Sequence, residues 1–546
     1  MIFNNLFVHP SALILFLTTC LAIARKNLKI FNIIAISIPL LSLFFIYFLP
    51  EKTYLHIYNL TLIYDGSFYN KLIVLALLIA LFAASLASIS FNRKLEIILG
   101  NGYAAFSIMC VLSGDYLSLF VGLELMMILS TIIIFIGGNR HSTKAAKNYF
   151  FTHLVSGNLI LSGLIYLISR TGSTEIFNIS VENIPELVDI QRSFPIYLML
   201  TGMVINIASF PFSGWMTNYY TEASSSGFLY LISFTTKVSV VILAKFFAGF
   251  EILKYIAVLM ICYSLARVLF EDHILKFLCY YSIISMGFMT LGICTGDKEI
   301  FQSVICYLFI HIIYKSLLSI CSVYYINATK IIRISNLIKT DNKIIITGAV
   351  LSLSMLLSLP LTIAYSAKTT ISGAFSEGPI YILIFLLTFV TCYSLPWKQY
   401  FIKNTETFPI RLDIYGRINL ITLSAILLFT IFCGHRFLHL NNAKLFDYKT
   451  LLHLIIISCS IFASYIYFFK RNIQESVNLI ELAGRLFIYL FKLCINKISI
   501  QEKQNNTEPL GFDNLKYLFF SKIKLLHNQQ TAIFIVFSAL VIMSLA

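Results

Sequence analysis

The 546-residue sequence predicts an all-α, polytopic membrane protein, and three observations predict it. Hydrophobic residues make up 58% of the chain and charged residues only 12%, with a mean hydropathy of +0.85, far from the balance of a soluble domain. Apolar stretches of about 20 residues, long enough to cross a ~30 Å hydrocarbon core, recur roughly 14 to 16 times. Two of them are interrupted by proline within a similar local text, which points to helices broken at membrane depth.

Taken in order, the expected spans are 6–24, 31–49, 72–91, 98–114, 116–137, 147–169, 195–220, 226–248, 252–270, 276–296, 301–326, 344–372, 379–395, 417–434, 452–470 and 530–546. The first has no basic residue ahead of its apolar run, so it reads as a retained span and not a cleaved leader. Between Lys470 and Gln530 charged and apolar residues mix, and "QEKQNNTEPLGFDN" is polar throughout. That region reads as a surface-lying or half-buried helix followed by a linker. The corresponding organisation is N-terminal helices over 1–95, a first repeat over 96–250 and a second over 251–400. C-terminal helices follow over 401–470, and 471–546 holds the amphipathic segment, polar loop and final span.

The net charge of +15 raises the question of nucleic acid, but the basic residues sit in short loops. Arg25, Lys26 and Lys29 follow the first span, Arg93 and Lys94 the third, and Arg140, Lys144 and Lys147 the fifth. Alternate loops carry acid, including Glu175, Glu182, Glu186 and Asp189. This is the positive-inside distribution, and it predicts an outward N-terminus with the basic loops in the cytoplasm. The 11 cysteines are scattered singly, mostly in apolar runs, without a CxxC pair, which argues against a zinc site or a disulfide framework.

The interrupted spans contain "SFPF" from Ser209 to Phe212, with Pro211, and "SLPL" from Ser358 to Leu361, with Pro360. A matched pair of breaks in two halves is a pointer to an inverted-repeat transporter. Ionisable residues fall in the same region. Glu124 lies in the body of the fifth span and Lys237 in the eighth; His311 and Lys315 are one turn apart on one helix face; Lys368 lies two turns beyond Pro360. Each has a bland reading as a structural ion pair or a snorkelling end residue. Snorkelling is the better account for Lys245 and Lys276, near the ends of their spans. The other lysines and Glu124 lie too deep for that, and an ionisable group so placed is functional by default. Groups poised between charged and neutral states are what a proton path requires, and Glu124 with Lys237 is a candidate pair.

In this order the motifs resemble the antiporter-like subunits shared by Mrp-type cation/proton antiporters and respiratory complex I. "LELM" is similar to a Glu-Leu-Met element of the fifth helix. "FPFSGWMTNYYTEASSSGFLYLISFTTKV" resembles a consensus that runs from proline through tryptophan and an acidic turn, here Glu222, to Thr-Thr-Lys. "YYSIISMGFMTLGI", "HIIYKSLL" and "SLPLTIAYSAK" are similar to three further elements. The resemblance covers about residues 70–400. It implies a bundle of about fourteen core helices in two inverted repeats with two broken helices, plus extra C-terminal helices. It also implies a path through Glu124, Lys237, His311, Lys315 and Lys368, supported by His153, Asn206, Glu222 and Lys276.

The sequence departs from that family at several polar positions. Asn206 stands where many relatives have lysine, Ser213 where histidine is frequent, Leu275 beside Lys276 where a basic pair is usual, and Ala364 where glycine is common. Asn206 and the Thr-Thr-Lys text favour the Mrp-like lineage. The expected function is therefore proton translocation within a multi-subunit Na+ or K+/H+ antiporter of the cell (inner) membrane. A proton-pumping subunit of NADH:quinone oxidoreductase and a non-transporting scaffold remain as alternatives. The expected partners are protons, Na+ or K+, other membrane subunits and the lipid bilayer, with no nucleic acid. No dinucleotide loop, haem pair, nucleophile triad or metal cluster is found, so the chain itself is not expected to be an enzyme or to hold a cofactor.

Overall fold

The computed structural model describes residues 9–57, 60–138, 140–179, 190–360, 362–375 and 407–437. The spans expected at 379–395, 452–470 and 530–546, and the mixed segment between the last two, lie outside these. The residues described up to Ala374 and over 407–437 belong to one compact unit.

The unit is built almost wholly of helices. They are α1 (Pro10–Ile23), α2 (Leu28–Tyr47), α3 (Phe68–Ser90), α4 (Lys94–Leu112), α5 (Tyr116–Phe135), α6 (Arg140–Thr171), α7 (Phe194–Asn206) and α8 (Ser225–Ser233). There follow α9 (Thr235–Phe247), α10 (Ile252–Phe270), α11 (Ile274–Ile293), α12 (Lys298–Thr329), α13 (Lys343–Leu356), α14 (Ile363–Gly373) and α15 (Ile414–Phe437). Among the described residues ten helical stretches, α8 and α9 counted as one, are long and apolar enough to cross a membrane. Their starts obey local chemistry: Asn27, Asp115, Asp297, Asn342 and Thr362 each cap the next helix with a side-chain oxygen on its first free N–H groups.

Burial is uneven. The apolar windows of α8–α9 and α12 are wholly enclosed and that of α11 nearly so, whereas only about a third of those of α2 and α15 is covered. The outer helices present Phe44, Tyr47, Tyr255, Phe270, Ile421 and Phe429 outwards. An apolar outer surface of this kind suits hydrocarbon as solvent, not water. Lys237, His311 and Lys315 thus lie on the innermost helices, whereas Glu124 stands half-buried on α5.

One element lies outside the expected spans. The sequence text assigns nothing to residues 50–71, yet β1 (Lys52–Ile57) and β2 (Leu60–Asp65) pair antiparallel, with Lys52 opposite Asp65. The hairpin is tied to the α4–α5 corner: Ile63 N donates to the Asp115 carboxylate at 2.8 Å, and Gly114 N donates to Ile63 O at 2.7 Å. Lys52 also meets Glu175 at 2.5 Å, an exposed ion pair of the kind that contributes at most about 1 kcal/mol. Its alternating text is too short to stand out between two long apolar runs.

Both proline-bearing spans are broken, and by the same device. At the end of α7, Ser209 N donates to Val204 O and Ala208 N to Ile205 O; at the end of α13, Leu359 N donates to Ser354 O and Ser358 N to Met355 O. Each is a Schellman cap, with Ala208 (φ 58°) and Ser358 (φ 52°) in the left-handed position. The caps, not the prolines, set the equivalence. Ser209 corresponds to Leu359 and Phe210 to Pro360, so the prolines of "SFPF" and "SLPL" stand one residue out of register. A third break at Phe234 divides the expected span 226–248 into α8 and α9.

Helices α6 and α7 approach closely at Gly202, where a Cβ would lie 2.6 Å from Ser156 O. That neighbour is backbone and cannot turn aside. Gly202→Ala is expected to lower stability by about 1–3 kcal/mol, read as thermal unfolding of the purified protein in detergent.

Candidate functional site

The buried ionisable residues form two groups. In the first, Lys237 occupies the opening turn of α9, just after the Phe234 break, and is fully buried. Its Nζ donates to Ile232 O at 2.5 Å and to Thr236 Oγ1 at 3.2 Å. The break frees the last carbonyls of α8, and the lysine of the next helix satisfies one of them. A cation at a helix C-terminus is also favoured by the helix dipole.

Glu124, on α5, is not its ion-pair partner in this structure; among the described residues the ion pair within 4 Å is Lys52–Glu175. Glu124 instead rests against α6 at Gly157, where a Cβ would lie 2.0 Å from its Oε1. A narrow crevice nearby in sequence to both residues is lined by Leu123, Ile160, Met203, Asn206, Ser239 and Ile242.

The supporting residues cluster beside that crevice. Asn206 Oδ1 accepts from Ser156 Oγ at 2.8 Å and lies 2.9 Å from His153 Nδ1. An amide oxygen only accepts, so the network assigns the histidine proton to Nδ1. His153 Nε2 is buried without a partner among the described residues, and the ring packs on Tyr149 and Trp215. Glu222 lies in the turn before α8, where its backbone oxygen accepts from Ser142 Oγ at 2.7 Å. Pro211 follows the α7 cap, in the stretch of chain that leads from Asn206 to this turn.

The second group lies on α12 and α14. Lys315 Nζ donates to Leu278 O of α11 at 2.6 Å and stands 6.0 Å from the Tyr281 ring centroid. His311 Nδ1 pairs with the Tyr314 hydroxyl at 2.8 Å, while its Nε2 is buried without a partner among the described residues. Lys368, two turns beyond Pro360, lies 5.2 Å from the Tyr307 ring centroid and 5.9 Å from that of Phe288, a cation–π arrangement, and reaches Leu356 O at 3.5 Å. His311 is within electrostatic reach of Lys237, Lys315 and Lys368 together. Lys276 stands in the first turn of α11, half-buried, with its backbone N–H capped by His273.

One expectation is corrected. Lys245 does not snorkel: its Nζ turns inward and donates to Val111 O and Ser113 O, each at 2.7 Å. The end of α4 leaves these carbonyls without intrahelical partners, and the amine of α9 satisfies both. Proximity to a span end concealed this, because the sequence does not show which end of a neighbouring helix lies opposite. Lys245→Met keeps the apolar stem and removes the donors. It is expected to destabilise by about 1–3 kcal/mol, measured by thermal unfolding.

A common chemistry emerges. Lys237, Lys315, Lys368 and Lys245 are all held by backbone carbonyls and hydroxyls or by aromatic faces, and among the described residues none lies within ion-pair distance of a carboxylate. Among the described residues no three His, Cys, Asp or Glu side chains converge on a metal position.

Comparison with known proteins gives this arrangement its context. The family described as "NADH:quinone oxidoreductase/Mrp antiporter, TM" matches residues 113–394, more than half of the chain and inclusive of all five residues above. NADH-quinone oxidoreductase subunit N of Parvibaculum lavamentivorans is 25% identical over 286 residues, covering 48% of this chain and 58% of the relative. Subunit N of Desulforudis audaxviator is 24% identical over 290 residues, covering 49% and 57%. The chain thus spans less than two thirds of these relatives. A chain of the Mrp complex from Dietzia sp. DQ12-45-1b superposes with a TM-score of 0.67 at 14% identity, over 82% of this chain and 99% of that one. A chain of respiratory complex I from Thermus thermophilus gives 0.66 at 16% identity, over 79% and 99%. Both likenesses concern the fold. The family match, the broken helices and the line of enclosed amines converge: the chain is a multi-pass membrane protein that belongs to the antiporter-like transmembrane family of NADH:quinone oxidoreductases and Mrp antiporters.

Proposed function

We propose that this chain translocates protons as one membrane subunit of a multi-subunit Na+ or K+/H+ antiporter in the cell (inner) membrane, with its N-terminus outside. The observation that carries the reading is the set Lys237, Lys315 and His311, enclosed by apolar helices and bonded to neutral partners, with half-buried Lys368 beside it. Ionisable groups at such depth are costly and mark ion pathways and proton relays. A carbonyl holds an ammonium without demanding its charge as a carboxylate would, which is the kind of acceptor a proton-carrying amine needs. Glu124, against Gly157, supplies the carboxylate of the first half. The breaks after Asn206, at Phe234 and after Leu356 leave short helix ends that can shift relative to these groups. The matched caps at Ala208 and Ser358 support a division into two inverted repeats over 96–250 and 251–400.

A second reading has its own support. The curated relatives are NADH-quinone oxidoreductase subunits, which favours a proton-pumping subunit whose redox chemistry resides in other chains. The decisive measurement is on the native assembly. Proton flux in vesicles that depends on Na+ or K+ supports the antiporter, whereas co-purification with flavin and iron–sulfur proteins supports the second reading. Flux that is unchanged by both Lys237→Ala and Glu124→Gln removes the transport reading and leaves a scaffold.

A further inference from the structure

A buried carboxylate outside the line above has no role yet. Glu96 lies in the first turn of α4, three residues after exposed Arg93, and is only 1% exposed. It accepts hydrogen bonds from Ser224 Oγ at 2.7 Å and from Ser226 Oγ, both at the start of α8. No Lys, Arg or His among the described residues is within ion-pair distance. Capping the α8 N-terminus accounts for part of this, since Ser224 Oγ also accepts from Gly227 N at 3.0 Å.

Capping leaves the polar residues further along α8 and α9 unexplained. Ser226, Tyr230 and Ser233 recur at i, i+4 and i+7 on one face of α8, and beyond the Phe234 break Thr235, Thr236 and Lys237 open α9; all six are buried. On α4 the facing positions Glu96, Gly100 and Tyr103 recur at i, i+4 and i+7. A Cβ at Gly100 would lie 2.3 Å from the Tyr230 ring, so that glycine gives the tyrosine its place. The Tyr230 hydroxyl lies 3.4 Å from both Ser85 Oγ and Ser88 Oγ. Tyr103 reaches Thr235, by a hydrogen bond between their hydroxyls and a second from Thr235 N at 3.0 Å. The hydroxyls of Ser226, Tyr230, Ser233, Tyr103 and Thr235 thus lie along the stretch from Glu96 to the turn that carries Lys237, with Tyr230 turned to the serines of α3 and Ser233 Oγ donating to Leu229 O at 2.7 Å in this structure. Hydroxyls both donate and accept, as a proton relay requires.

We propose that Glu96 is a proton-entry carboxylate for Lys237, and that the Ser226–Tyr230–Ser233 stripe carries protons between them. This rests on the transport reading above. A proton from water at the Arg93–Lys94 rim binds the Glu96 carboxylate; each hydroxyl then accepts one proton and releases another, and the last reaches the Lys237 amine. The polar groups facing Glu96 are Ser224, Ser226 and Tyr230 of the α8 region, with Arg93 and Lys94 at the edge of its own helix.

The test is proton flux by the intact assembly in vesicles, with assembly monitored alongside. Glu96→Gln keeps an acceptor oxygen for one serine and offers its NH2 to the other, whose hydroxyl can also accept, but it cannot exchange a proton at neutral pH; flux is expected to fall about tenfold or more. Glu96→Asp is expected to retain a substantial part. Tyr230→Phe deletes one hydroxyl of the stripe and is expected to lower flux several-fold even if Glu96→Gln fails to assemble. Parental flux in an assembled Glu96→Gln protein, or in Tyr230→Phe, overturns the proposal and leaves Glu96 a cap. If those variants match the parent while Lys237→Ala does not, only this inference fails. If Lys237→Ala also matches the parent, the transport reading fails.

Discussion

Replacing Lys237 by alanine is expected to lower proton flux by at least about tenfold, equivalent to ~1.4 kcal/mol or more on the limiting step. The amine is fully buried at the break between α8 and α9, within electrostatic reach of His311. Alanine also leaves Ile232 O without its donor at 2.5 Å, and an orphaned buried carbonyl costs about 1–3 kcal/mol. A fall in flux from alanine alone is therefore ambiguous between chemistry and stability. Lys237→Arg separates them. Arginine still donates to the carbonyl but does not give up its proton in proteins. Flux is expected to fall as far as with alanine while thermal stability holds closer to the parent. Recovery of flux with arginine shows that a fixed positive charge suffices and sinks the role as proton carrier.

Gly157→Ala is expected to lower flux about three- to tenfold, or ~0.6–1.4 kcal/mol, with stability nearly unchanged. The added methyl falls 2.0 Å from Glu124 Oε1, closer than atoms approach. Since that oxygen ends a flexible side chain, the carboxylate swings away and the helices stay in place. The substitution thus moves Glu124 without changing its chemistry. Glu124→Gln is expected to produce a comparable loss. The double variant should then be no worse than the more damaging single one, because residues in contact are not additive. An additional loss in the double variant locates the effect of Gly157 elsewhere, in the packing of α5 on α6.

Much of the fold was legible because the signal for a membrane span is long and redundant. The span expected at 252–270 coincides with α10, and those at 116–137 and 276–296 differ from α5 and α11 by no more than three residues at either end. The breaks were legible only in part. Prolines announced two of them, but the Schellman caps depend on Ala208 and Ser358 adopting left-handed angles usually given to glycine, and neither residue advertises that. At Phe234 there is no glycine or proline, so the division between α8 and α9 left no mark in the text. Depth along a span was readable for Lys237, His311, Lys315 and Lys368. Partners were not, because they are mostly backbone carbonyls, which every residue possesses. Glu96 was missed for a related reason: beside Arg93 and Lys94 it resembles one more rim charge, and only the approach of α8 encloses it.

The carbonyl tether of Lys237 has a consequence for the cycle of any carrier built this way. An ammonium has three N–H groups, and the amine left after deprotonation still has two. The link to Ile232 O therefore weakens when the charge departs but does not vanish. A carboxylate–ammonium contact, by contrast, owes most of its strength to the charges, and neutralising one end releases the side chain. With the nitrogen moored in both forms, the donor and acceptor geometry for the next transfer is preserved from one turnover to the next. The side chain need not search for its place again, and the motion that sets direction is left to the helix ends around it.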